Sequence, residues 1–528
     1  MKRWEAILAI IGGCLVACSA YAIQRASLPR HSFTLDQNNC RTPITVIEPP
    51  HGMNAGGAAI LLHGLSANRR VMIYLGEDFA GHGFRTFLPD LAGHGDNTNS
   101  FTFAKAEECA DWSVQALMQR EKLDPRKTIL LGHSMGGAIA IRMADMNPVA
   151  ATIALSPAPM TLPRRMPANL LVFSAQFDLG VLKRQAGALA KAAGGTRTAP
   201  DDFAQKRAFE WQMVPYATHT SELLEREVAH RSEQWAAEAL LPNVAPRTLI
   251  LNLDLATHEM FHRERLRLTG AIAGLLGLLL LFPACATIVS LAAEAAGTKK
   301  TAQMAVEDRA ESPRARPTFL LGVAEQAVCA LVAVLILALV IPLRFVYLYQ
   351  GDYLASAMFV SGALLLALNW SYAKGCLEVS WPKIGAAAVL GMAAMLAAGG
   401  WLNWQLTDLW LNGARWLRFA ALLPGAWIFC FAEEVLLGTV GKGKHRALRY
   451  GVSLALRLEL WLACVLAYYE LASGEALIGL LVIGMAVFSA VQRLGTDGLR
   501  HRTGSATAAA VFDAILSAWF IAAVFPLT

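Results

Sequence analysis

The stretch TILLGHSMGGAIAIRMA, residues 128–144, runs from apolar and β-branched residues into Gly132-His133-Ser134-Met135-Gly136, then into a small-residue helical pattern. That order predicts a buried strand, a tight turn and a helix, with Ser134 at the turn. A strand-to-helix turn this sharp puts the serine in strained backbone geometry. Glycines at 132 and 136 remove the Cβ atoms that would collide there. A serine capping an ordinary helix fits the same letters, so the neighbouring runs must decide.

Five further apolar runs read as strands: AAILLHG (58–64), FRTFLPD (84–90), ATIALSP (151–157), NLLVFSAQFD (169–178) and FEWQMVPYATH (209–219). Helical patterns lie between them, around 70–82, 104–120, 136–147, 180–193 and 220–240. Runs apolar on both faces suit a buried parallel sheet, and the alternation predicts a doubly wound α/β domain. In such sheets reactive groups gather at the carboxyl ends of the strands. Ser134, Asp178 and His219 each end one of these runs, in the chain order Ser, Asp, His. A carboxylate at 178 suits holding an imidazole, and an imidazole at 219 suits taking a serine proton. The rivals fit less well. Asp201 and Asp202 follow the loop GGTRTAPDD, His94 belongs to the turn DLAGHGDN, and His133 points away from its neighbour's hydroxyl in an elbow. His63-Gly64 ends the first run, which makes the backbone N–H groups of Leu65 and Met135 the expected oxyanion hole.

Together AAILLHGLSANRR, GFRTFLPDLAGHGDN and LLGHSMGG resemble α/β-hydrolases over residues 42–241. The likeness is to the branch of monoacylglycerol lipases, lysophospholipases and serine aminopeptidase-like hydrolases. The resemblance implies cofactor-free cleavage of an ester, thioester or amide through an acyl-enzyme. Ser134 would be the nucleophile, Asp178 the acid and His219 the base. The chain departs from the family at one point. Only APMTLPRRMPA (158–168) stands where these enzymes often insert a helical cap that selects substrate. Closure of the site is left to the insert near 191–208 or to the rest of the chain.

That rest is mostly apolar. Of 528 residues, 55% are hydrophobic and only 16% charged, against about 25% charged in a soluble domain. Nine stretches are long enough to cross a bilayer: 6–23, 269–293, 319–343, 352–370, 384–402, 417–437, 451–471, 475–491 and 507–526. With the N-terminus inside, the connections 294–318, 371–383, 438–450 and 492–506 carry fourteen Lys and Arg, the opposite set only Arg344 and Arg415. Cytoplasmic loops are the basic ones. The expected organisation is therefore an anchor over 1–29, an extracytoplasmic hydrolase domain over 30–245, a connector over 246–268, and an all-α bundle of about eight spans over 269–528. The net charge of +6 follows from these loops and needs no nucleic acid. Within the anchor, LVAC (15–18) is similar to a bacterial lipobox, which would lipidate Cys18, and the expected location is a bacterial inner membrane. Of nine cysteines only Cys40 and Cys109 fall in the outer domain, where they either pair or stay buried thiols.

Two other patterns carry chemistry. His258-Glu259-Met260-Phe261-His262 matches the zinc motif H-E-x-x-H, which on a helix puts both histidines on one face. No distinct third ligand follows before the next span, and FHRERLRL reads as an interfacial lead-in. Glu433 and Glu434 interrupt the apolar run IFCFAEEVLLG, and intramembrane carboxylates are costly. The pair resembles the glutamate motif of intramembrane CAAX-type proteases, but Gly438 stands where that motif has an arginine, and its later histidines are missing. Lys442, Lys444, Glu459 and Asp513 are the expected partners. No phosphate loop or dinucleotide fingerprint occurs. The sequence therefore predicts a membrane-embedded serine hydrolase without a cofactor, acting on a small or lipid-like acyl substrate among membrane lipids. The competing readings are a transporter or scaffold with a hydrolase-like sensing module, and a zinc peptidase.

Overall fold

The computed structural model describes residues 2–50, 57–147, 149–241, 246–296, 319–340, 344–438, 446–471 and 478–528. The chain divides into two compact units. One comprises Cys18–Ala273, Trp401–Leu409 and Pro526–Thr528, and the other comprises Met1–Ala17, Gly274–Gly400 and Trp410–Phe525.

The first unit is built on an eight-stranded sheet: β1 (Arg30–Gln37), β2 (Cys40–Ile47), β3 (Ala58–Leu62), β4 (Arg85–Pro89), β5 (Thr128–His133), β6 (Ala151–Leu155), β7 (Leu170–Ala175) and β8 (Phe209–Val214). Their order is β1-β2-β4-β3-β5-β6-β7-β8. From β4 to β8 every neighbouring pair is parallel. Residues of β3, β5, β6 and β7 are buried throughout, as a sheet covered on both faces requires. Helices α2 (Ile73–Gly81), α3 (Phe103–Arg120), α4 (Met135–Met146), α5 (Gly180–Ala193), α6 (Pro200–Ala204) and α7 (Arg226–Leu240) follow α1 (Arg3–Ala26) in chain order. A main core joins Ile47, Leu61, Phe79, Leu131, Phe173 and Trp235. A smaller one joins Ile141, Val172, Leu189 and Phe209.

The hairpin β1–β2 is absent from the sequence reading, which begins the sheet at residue 58. It is antiparallel, with Gln37 opposite Cys40. Asn38 and Asn39 turn it with φ of 55° and 56°, the left-handed pair that a two-residue hairpin demands and asparagine tolerates. Cys40 and Cys109 are joined by a disulfide that ties this hairpin to α3, so the two residues are not free thiols.

Beyond α7 the elements among the described residues are helices: α8 (Pro246–Ala296), α9 (Phe319–Val340), α10 (Gly351–Leu368), α11 (Trp370–Cys376), α12 (Trp381–Gln405), α13 (Gly413–Leu437), α14 (Arg446–Leu471), α15 (Ile478–Thr503) and α16 (Ala506–Val524). Among the described residues six helices are long and apolar enough to cross a membrane: Arg3–Ala26, Arg265–Ala295, Gly351–Leu368, Trp381–Trp404, Gly413–Leu437 and Ala506–Val524. The expected connector over 246–268 is helical and continuous with the apolar stretch that follows it. Several of the basic residues counted in the connections lie on helices: Arg493, Arg500 and Arg502 on α15, Arg446 and Arg449 on α14, and Arg415 on α13. Arg493 is buried well inside α15 and is not a loop charge.

Candidate active site

Ser134 sits between β5 and α4 with φ 55° and ψ −116°, in the left-handed half of backbone space that a residue with a Cβ occupies only under strain. Its surroundings hold it there. Its N–H donates to Leu155 O at the end of β6 (2.8 Å), and its carbonyl accepts from Ala138 N (3.1 Å) and Ala158 N (2.9 Å). A Cβ on Gly132 would strike the Gly136 carbonyl, and one on Gly136 would strike the carbonyls of Leu62 and His63. Both glycines are therefore steric necessities of the turn.

The end of β3 lies against the serine: a Cβ on Gly64 would stand 3.1 Å from Ser134 Cβ. This brings the Leu65 loop to the first residue of α4, Met135, whose N–H is one of the orphan donors of a helix start. His63 has a structural part. Its Nε2 accepts from Leu91 N (3.0 Å) while its Nδ1 meets Gly64 O (2.8 Å), so the ring is neutral with its proton on Nδ1. Burial holds its pKa below the ordinary histidine value.

Asp178 and His219 meet at the ends of β7 and β8. Their loops are joined by Gln176 N to Val214 O and Phe177 N to Ala217 O, both 3.0 Å. His219 Nδ1 is 3.0 Å from Asp178 Oδ2, and Asp178 Oδ1 accepts from Leu179 N (2.7 Å). Burial works to raise the Asp178 carboxyl. The hydrogen bond and charge of His219, with hydrogen bonds from Ser156 and Leu179 N, outweigh it and hold the carboxyl below the usual aspartate value. Ser134, Asp178 and His219 are all buried.

A second polar layer underlies the pair. His133 Nε2 donates to His219 O (2.8 Å) and lies 3.4 Å from Glu222 Oε1, while Glu222 Oε2 accepts from Ser156 Oγ (2.9 Å). The rings of His133 and His219 are 4.6 Å apart. Sequence reading missed Ser156 and Glu222, although Ser156 ends the strand between those of Ser134 and Asp178, and Glu222 follows His219 by three residues. His94 packs in its turn, 5.2 Å from the His63 ring and 5.1 Å from Phe101. Asp202 bonds Arg207 and the N–H of Ala199. Neither enters the Asp178–His219 pair.

Among the described residues two groups bring metal-capable atoms within 4.8 Å of one another: His133, His219 and Glu222, and Asp90, Asp96 and Asp408. Both are engaged otherwise. Asp178 occupies His219 Nδ1, and Arg69 pairs with Asp90 and Asp96. Burial and the charge of Asp96 push the Asp408 carboxyl up to about 6. The side chains of His258, Glu259 and His262 lie outside the described residues.

Glu433 and Glu434 sit on α13 among buried arginines. Arg457 on α14 donates to both Glu433 oxygens (2.6 and 2.8 Å from Nε) and to Asp513 of α16 (2.6 Å). Arg493 on α15 donates to Glu434 and Asp513, both at 2.8 Å, and Arg449 adds a bond to Glu434. Gln492 and Thr496 complete the hydrogen bonds of Asp513 and Ser517. Asp513 is the expected partner that joins. Glu459 makes no ion pair among the described residues, and Lys442 and Lys444 lie outside them. A carboxylate cluster satisfied in this way is a structural ion network, not an open site.

Residues 59–273 match the model of the Alpha/beta hydrolase family. A putative non-heme haloperoxidase of Mycobacterium phage D29 is 32% identical over 108 residues, 20% of this chain, and the chain spans 38% of that relative's length. Among solved structures, an alpha-beta serine hydrolase homologue from Coxiella burnetii is 16% identical, with a TM-score of 0.32 over 41% of this chain and 97% of its own. A serine hydrolase without lid from Xanthomonas campestris is 16% identical, with a TM-score of 0.34 over 42% and 98%. A soluble variant of monoglyceride lipase from Saccharomyces cerevisiae is 12% identical, with a TM-score of 0.33 over 40% and 96%.

Proposed function

We propose, from the premise that residues 59–273 carry an alpha/beta hydrolase domain, that the protein is a membrane-embedded serine hydrolase using Ser134, His219 and Asp178. The observation that carries this reading is the 3.0 Å hydrogen bond between His219 Nδ1 and Asp178 Oδ2 at the strand ends where Ser134 stands.

The chemistry follows from the proton positions. Asp178, ionised, accepts the Nδ1–H of His219 and leaves the lone pair on Nε2. Nε2 takes the Ser134 proton as Oγ adds to the acyl carbon. The developing oxyanion meets the N–H groups of Leu65 and Met135, each such donor contributing about 3–4 kcal/mol at the transition state. Nε2 then returns the proton to the leaving group as the acyl–heteroatom bond breaks. Water, deprotonated by the same nitrogen, releases the acyl group. No step calls for a cofactor.

The segment 157–169, in place of a cap, contains no helix or strand, so it leaves room for bulky amphiphiles. Six apolar helices supply a membrane attachment. The disulfide Cys40–Cys109 suits an oxidising compartment. Trp401–Leu409 and Pro526–Thr528 share a unit with the sheet, which supports the side assigned by the charge asymmetry. The substrate class is an acyl ester, thioester or amide of a lipid or envelope component. A membrane-impermeant fluorophosphonate added to spheroplasts should label wild type and leave Ser134→Ala unlabelled. Equal labelling of the two would overturn the nucleophile, and labelling only after permeabilisation would overturn the extracytoplasmic side.

A further inference from the structure

The oxyanion loop is held from outside the α/β-hydrolase sequence. Asn68, three residues after Leu65, is 4% exposed, and its side-chain amide is engaged on both sides. Its Nδ2 donates to Thr407 Oγ1 (2.9 Å), 339 residues away, and its Oδ1 accepts from Asp408 N (3.0 Å) and Arg70 N (3.1 Å). Thr407 and Asp408 belong to the connection between α12 and α13, two helices otherwise in the other unit. Nearby, Arg30 Nη2 donates to Trp404 O (3.0 Å).

A second return secures the loop after β4. Leu527 N donates to Gly93 O (2.9 Å), and Leu527 O accepts from Phe101 N (2.5 Å). Gly93 has φ 76°, and a Cβ there would meet Phe101 Cβ and the Leu527 carbonyl. The path from this contact to the site is short. Phe101 packs on His94, His94 on His63, and His63 precedes Gly64 and Leu65. Arg69, next to Asn68, ties the two loops through Asp90 and Asp96. The Gly64–Asn68 loop is itself irregular, with Ser66 at φ 56°.

We infer that Thr407, through Asn68, and Leu527, through the Gly93–Phe101 loop, are positioning residues for the oxyanion hole, so that the hydrolase site is completed by chain returning from the apolar helices. The physical reason is that an oxyanion donor works only when held at hydrogen-bond distance from where charge develops. A loop with a buried amide and a left-handed serine keeps that position only if its polar groups stay paired. This inference rests on the proposed role of Ser134.

The test uses the full-length protein in detergent or membranes, with p-nitrophenyl butyrate as substrate and a fluorophosphonate to count active sites. Thr407→Val removes the acceptor for Asn68 at constant shape. We expect kcat per labelled site to fall roughly 10- to 100-fold, less than the roughly 10²–10³ lost when an oxyanion donor is removed outright. KM should stay within about twofold, and Thr407→Ser should restore kcat. Deletion of 526–528 should lower kcat in the same way. Thermal unfolding and formation of the Cys40–Cys109 bond report whether each variant is folded. Folded variants with wild-type kcat overturn the inference, as does a fall in thermal stability alone with kcat per site unchanged. Failure of wild type itself to be labelled would strike the parent reading instead.

Discussion

Asp178 shows how much a single side chain carries. Its carboxyl is held below the usual aspartate value by His219, Ser156 and the Leu179 N–H, against the opposing effect of burial. A carboxyl with a lowered folded value adds stability that is fully present above its unfolded value of about 3.9 and is lost as pH falls through the folded value. Replacing it by asparagine should therefore lower the melting temperature at pH 7, and the gap to wild type should close only below about pH 4. Turnover should fall on the order of 10⁴-fold, because an amide holds the wrong tautomer of His219. A gap in melting temperature that persists unchanged at pH 3 would contradict this account. The glycines at 132 and 136 act through what they lack, since the elbow leaves no volume for their Cβ atoms.

At the scale of elements, the hairpin β1–β2 is attached by two means. Its inner strand pairs with β4 between Ile44 and Ile47, and the disulfide joins Cys40 to Cys109 across 69 residues. Closing a loop of that length removes unfolded-chain entropy worth about 4 kcal/mol, less any cost to the folded state. Cys40→Ser, paired with Cys109→Ser to avoid a stray thiol, should destabilise the protein by about 2–4 kcal/mol. Urea unfolding would read this, and the same loss should appear when wild type is reduced. An unchanged midpoint would mean that the strand pairing alone secures the hairpin. Ser134, Asp178 and His219 follow β5, β7 and β8, on the parallel side of the sheet away from this hairpin, so this loss should leave active-site labelling intact in the fraction that stays folded.

At the scale of the whole molecule, two devices join distant parts of the chain. The ion network of Glu433, Glu434, Arg457, Arg493 and Asp513 pins α13, α14, α15 and α16 to one another. Desolvating these charges is costly, and their mutual pairing offsets it only while each keeps its partners. Glu433→Gln should cost about 3–5 kcal/mol because it strips the bidentate acceptor from buried Arg457, and Glu433→Gln with Arg457→Met should recover part of that loss. Melting of the purified protein in detergent tests both, and a neutral single variant would show the network to be slack. The other device is the pair of returns at Trp401–Leu409 and Pro526–Thr528, which join the sheet's unit.

The sequence by itself determined the α/β alternation, the elbow at Ser134 and the strand ends bearing Asp178 and His219. Each is written locally, in apolar runs, glycine spacing and the polar residue that ends a run. It determined the nine apolar stretches for the same reason: hydropathy needs only a window of residues. The hairpin escaped because its signal, Asn38-Asn39, is two residues long, and the disulfide partner of Cys40 lies on α3, 69 residues along the chain. Only the tertiary structure decided that Ser156, Glu222 and His133 underlie the Asp178–His219 pair, that Arg457 and Arg493 answer Glu433, Glu434 and Asp513, and that Thr407 reaches Asn68. These are contacts between residues tens to hundreds of positions apart. No periodicity encodes such pairs, because which buried charge or amide is satisfied depends on how whole elements pack.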